Sequence, residues 1–111
     1  MADGLFVYIA MPGRIEPLER GERFEDPLSE MLAEAELGEV TGGGSWLSHP
    51  DEQGRRFVES CGIDLDIYQP DDGIPFVIDA LRKLHAPAGT RLEYRLGEQD
   101  FKVDIYAERT T

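Results

Sequence analysis

Apolar and polar positions along the chain fall into blocks whose period changes between two and about 3.6, and each change marks an element boundary. The run LFVYIA (Leu5 to Ala10) is continuously apolar and rich in β-formers, which predicts a short strand buried on both faces. The stretch MPGRIEPLERGERFE carries two prolines, two glycines and mixed charge, and reads as a long surface loop. In DPLSEMLAEAELG, Leu28, Met31, Leu32 and Ala35 recur at i, i+3, i+4 and i+7 and give a helix one apolar face. Asp26 is placed to cap that helix, Pro27 to occupy its first position, Glu30 to sit in its first turn and Gly38 to close it.

Beyond Gly38 the period shortens. EVTGGGSWL reads as a strand, SHPDEQGRR supplies turn chemistry through Pro50, Asp51 and Gly54, and FVESCGIDLDIY alternates Ile63, Leu65 and Ile67 with Asp64, Asp66 and Tyr68. The second helix is PDDGIPFVIDALRKLH, with Asp71 or Asp72 as cap and Ile74, Val77, Ile78, Leu81 and Leu84 as its apolar stripe. Arg82, Lys83 and His85 fall in its last turn, where the helix dipole favours positive charge. APAG breaks it, and TRLEYRL and DFKVDIYA alternate around GEQ as a hairpin.

The order is strand, helix, strand, strand, helix, strand, with the last unit extended into a hairpin. That predicts a single α+β domain over residues 1–111, ferredoxin-like βαββαβ with a C-terminal β-hairpin, its mainly antiparallel sheet covered by two helices on one face. The helix-facing side should carry Ile63, Leu65, Ile67, Phe101, Val103 and Ile105, and the other side Asp64, Asp66, Tyr68, Lys102, Asp104 and Tyr106. Leu28, Met31, Leu32, Ile63, Leu65, Val77, Leu81 and Val103 should be nearly inaccessible.

Charge changes the picture more than composition does. Eleven basic residues against 23 acidic ones give a formal charge of −12, and residues 1–80 hold 18 of the acids but only five of the bases. Nucleic acid as a ligand would call for the opposite sign. The acidic surface favours a basic protein partner, or serves solubility. No apolar run reaches the roughly 20 residues of a membrane span, and Asp3 with no basic region before the first apolar run argues for a strand rather than a signal peptide. One cysteine, Cys61, precludes an internal disulfide and suits a reducing, cytoplasmic setting.

Candidate chemistry is sparse. The glycines Gly42, Gly43 and Gly44 lead into Ser45 and Trp46 with no Lys-Ser or Lys-Thr and no following helix, so they fit neither a phosphate loop nor a dinucleotide fingerprint. They predict a backbone bend, with at least one positive φ or a bulge, or close approach by another chain. Asp64 and Asp66 share a strand face about 7 Å apart, without a third ligand at a recognisable offset. His49, His85 and Cys61 make no zinc set, Cys61 reads as a core residue, and no serine sits in a G-x-S-x-G elbow. The expectation is no catalytic, cofactor or metal site.

The segments LGEVTGGGSWL, GIDLDIY and HAPAGTRLEY give the chain a resemblance to small uncharacterised bacterial βαββαβ proteins, some similar to immunity proteins of polymorphic-toxin systems. The resemblance implies a cytosolic, non-enzymatic binder that masks a basic partner. Candidate partner-binding residues are Trp46, Asp64, Asp66, Tyr68, Asp71, Asp72 and Tyr106, aromatic anchors rimmed by acids. The alternatives are a small-molecule-sensing regulatory domain that forms a homodimer through its sheet, and an enzyme using Asp64, Asp66 or the Arg55–Arg56 pair. Fold alone does not choose among these.

Overall fold

The structure is a computed structural model and describes residues 4–13, 15–47, 49–56 and 58–107, excluding the side chains of residues 17, 45–47, 58 and 59. Five strands, β1 (Leu5–Pro12), β2 (Gly38–Leu47), β3 (Val58–Ile67), β4 (Arg91–Leu96) and β5 (Gln99–Asp104), form one sheet in the order β2-β3-β1-β4-β5. Every neighbouring pair is antiparallel. The helical segments are α1 (Pro17–Arg20), a π-helical turn (Gly21–Glu25), α2 (Asp26–Ala35) and α3 (Pro70–Lys83). The fold is α+β.

Register explains which side is buried. Val7 lies opposite Leu65 and Tyr94, Ile9 opposite Ile63 and Leu92, and Met11 opposite Cys61, so these side chains share one face. Leu28 and Leu32 of α2 and Ile74, Val77, Ile78 and Leu81 of α3 close over that face in a single core. The alternation of β3 and the stripe of α3 are as the sequence predicts. Leu28, Leu32, Ile63, Leu65, Val77 and Leu81 are buried, whereas Met31 and Val103 are only half-buried at the margin. Among the described residues no helix packs on the opposite face of the sheet, and β1 is therefore buried on one face, not two: Phe6 is 59% exposed.

The expected surface loop after β1 is largely helical. Ile15, Arg20 and Phe24 are buried, which gives residues 17–25 a tertiary anchor that local composition conceals. Pro27 has no N–H and its ring crowds the carbonyl four residues back. The wide turn just before it, closed by the Asp26 N–H donating to the Gly21 carbonyl, carries the helical path up to that proline. Asp26 accordingly sits inside the helical run rather than capping it. Nor does Gly38 close α2. Glu36 takes the left-handed conformation at φ 57°, and the Leu37 N–H bonds the Leu32 carbonyl at 3.1 Å, so the chain has already turned and Gly38 begins β2.

At α3, Gln69 is the N-cap and makes no side-chain cap bond, so Asp71 and Asp72 lie in the first turn instead. His85 stands past the helix at φ 61°. Between β2 and β3 the anticipated turn forms around Asp51, whose carboxylate accepts from the backbone N–H of Gln53 and Arg55 at 2.9 and 2.8 Å. The β4–β5 hairpin closes on Gly97 (φ 62°), and β5 ends at Asp104, short of the predicted Ala107.

Candidate functional site

The uncovered face of the sheet carries both charged and aromatic side chains, and cross-strand register orders it into rows. Glu39, Asp66 and Phe6 form one row, Gly42, Asp64, Tyr8, Glu93 and Lys102 the next, and Gly44, Gly62, Ala10, Arg91 and Asp104 a third. An aromatic ridge on β1, Phe6 and Tyr8, thus separates a β2–β3 half from a β4–β5 half. The two halves differ in charge. On β4 and β5, Arg91 Nε meets Glu93 Oε2 at 2.9 Å and Arg95 Nε meets Asp100 Oδ1 at 3.7 Å. On β2 and β3, Glu39, Asp64 and Asp66 have no ion-pair partner among the described residues.

Two hollows flank Tyr8. One of about 430 Å³ is bordered by Phe6, Tyr8, Glu93, Arg95, Asp100 and Lys102, which alternate onto the uncovered face, and by Leu5, Tyr94 and Phe101, which alternate to the other. The other, about 310 Å³, is bordered by Tyr8, Ala10, Pro12, Ser60, Arg91 and Glu93. Tyr8 and Glu93 belong to both, so the hollows are halves of one groove along β1. Tyr8 lies over Gly62, where a Cβ would collide with its ring.

In the glycine run of β2, Gly42 adjoins an irregularity of the ladder and Gly43 is explained from across the chain. None of Gly42, Gly43 and Gly44 has positive φ, and the ladder is irregular between Val40 and Gly42, where Thr41 is the extra residue. Gly43 faces the helices. A Cβ there would strike Glu25 Oε1 and stand 3.1 Å from the Gly62 carbonyl. The ion pair occupying that space is Arg20 Nε to Glu25 Oε1 at 2.7 Å, with Arg20 Nη1 donating to the Gly44 carbonyl at 2.8 Å. Cys61 lies in the same environment. Burial pushes its thiol up, the nearby Arg20 guanidinium pulls partly against this, and Glu25 adds to the rise. Gly44, on the uncovered face, has nothing within 4 Å of a notional Cβ.

The candidate residues named from the sequence do not form one patch. Asp64 and Asp66 are half-buried on the uncovered face. Tyr68 stands at the end of β3, where partial desolvation and then the charges of Glu39 and Asp66 push its phenol up. Asp71 and Asp72 are exposed on α3, in the other layer. Tyr106 lies beyond β5, its hydroxyl donating to the Ala86 carbonyl. Trp46 pairs with Ser60 in β2, and its side chain is outside the described residues. Phe6, Tyr8, Glu39 and Glu93 were missed, although the period of two in β3 extends through the register to each of them.

Among the described residues no group of three or more His, Cys, Asp and Glu is arranged to hold a metal ion. No helix among them is long and apolar enough to cross a membrane. Comparison of the chain with protein-family models, with curated proteins and with solved structures finds no match.

Proposed function

We propose that this chain is an acidic protein-binding module whose uncovered sheet face docks a cationic protein, in the manner of an immunity or inhibitor protein that masks its partner. The observation that carries the reading is the group of carboxylates on β2 and β3, Glu39, Asp64 and Asp66, standing without ion-pair partners among the described residues beside an exposed Phe6. An aromatic anchor beside unneutralised charge is suited to a partner that brings both apolar area and positive charge. The formal charge of −12 adds long-range attraction for such a partner. A buried free thiol is in keeping with a cytoplasmic setting. The order β2-β3-β1-β4 supports reading the first four strands as the ferredoxin-like split βαβ arrangement, with β5 added at the edge.

The test is capture of binding proteins on the immobilised chain and on its Asp64→Lys/Asp66→Lys variant, followed by a salt series. The reading expects a basic protein that the wild type retains at low salt and the variant does not. Charge reversal should slow association more than it speeds dissociation, and retention should fall as salt shortens screening to about 8–10 Å. Identical recovery on both surfaces, or retention indifferent to salt, refutes it. One observation favours a second reading, a small-molecule-sensing domain: the 430 Å³ hollow is large enough for a small ligand.

A further inference from the structure

The uncovered face is divided by function as well as by charge: we infer that it receives a basic amphipathic helix, whose cations lie over Glu39, Asp64 and Asp66 and whose single large apolar side chain fills the hollow beside Phe6. The inference rests on the protein-binding reading and specifies the partner's shape. Neutral and charged recognition fall on opposite sides of β1. The β4–β5 half already balances its own charges through the Arg91–Glu93 and Arg95–Asp100 pairs, so its hollow has little net field with which to select a charged group. Phe6, 59% exposed, supplies apolar surface at that hollow. The β2–β3 half is the reverse, with three carboxylates and no ion-pair partner for them among the described residues.

The span between the halves suits a helical partner. Strands in a sheet are about 4.8 Å apart, so β3 and β4, with β1 between them, are separated by about 10 Å. Residues about seven apart on one helix face are about 10 Å apart. A helix with a lysine or arginine cluster and one aromatic or leucine residue two turns away meets both halves at once.

The probe is a synthetic alanine-based helical peptide with a lysine cluster and one phenylalanine about seven residues away. Its twin has that phenylalanine replaced by alanine, and both are titrated against the full chain at two salt concentrations. The expected result is binding of the first peptide that weakens with salt, and about tenfold or more weaker binding of the twin. Phe6→Ala should remove the difference between the two peptides while leaving the salt dependence, and Phe6→Leu should restore most of it. Asp64→Asn/Asp66→Asn should flatten the salt dependence for both. The exposure of Phe6 makes its truncation compatible with folding, which circular dichroism checks. Equal binding of both peptides to the wild type overturns the helix-and-anchor inference and leaves the cationic-partner reading standing. Failure of both to bind at low salt removes that reading as well. Sedimentation showing a dimer that Phe6→Ala dissolves assigns the face to a second copy of the chain and overturns the inference.

Discussion

Gly43 and Gly44 are neighbours of one residue type, but only at Gly43 does the structure require a glycine. Gly43→Ala forces a methyl group against Glu25 and the Gly62 carbonyl, so it should destabilise the protein by about 1–3 kcal/mol in urea denaturation. Gly44→Ala meets open space at ordinary φ, and should stabilise by about 0.4–1 kcal/mol through the unfolded state. Equal effects at the two positions would show that the Arg20–Glu25 pair does not press on β2. The same pair bears on Cys61, whose thiol is raised above its ordinary value of 9.0 chiefly by burial. Below that pH the thiol is neutral in both states. Above it the unfolded chain loses the proton first, so stability falls as pH rises until the buried thiol ionises too. Tyr68, raised above 10.0, adds a change of the same sign further up. Denaturation across this alkaline range should show a falling stability that Cys61→Ala makes shallower; an unchanged slope would mean the thiol titrates alike in both states.

At the level of elements, the segment from Pro17 to Ala35 depends on contacts rather than on its own propensity. Phe24, fully buried in the π-helical turn, should cost about 3–5 kcal/mol when truncated to alanine. Leu32→Ala and Leu81→Ala should each cost about 2–5 kcal/mol, and an effect within error at either would mean its helix does not cover the core. These elements were unequally legible. Ile63, Leu65 and Ile67 declare a strand with one dry face because side chains alternate strictly there, and α3 declares its stripe in the same way. The turn before Pro27 was hidden because what holds it is a buried arginine reaching across to Gly44, a relation between positions 24 apart. Phe6 and Tyr8 were hidden for another reason. An unbroken apolar run looks the same whether one face or both are covered, so the sequence alone does not separate the ridge of the candidate site from core. The acids Asp64 and Asp66 are readable as a solvated face, but that no described residue forms an ion pair with them required the structure.

For the whole molecule, a formal charge of −12 is self-repulsion that salt relieves, so added sodium chloride should raise stability while weakening any cationic partner's hold. Measured together on one preparation, the two trends should run in opposite directions; parallel trends would mean the charge acts locally and not as a field. The strand order has a consequence in time. The first strand made, β1, is the central one, and it lies between β3 and β4. A nascent chain that has emerged only as far as α3 carries β1 with one side paired and the other open, and lacks Leu92 and Ile105, both fully buried in the finished core. Pairing across such sequence separation is slow to form. The domain should therefore stay sensitive to protease until the β4–β5 hairpin leaves the ribosome, and acquire its resistance in one late step.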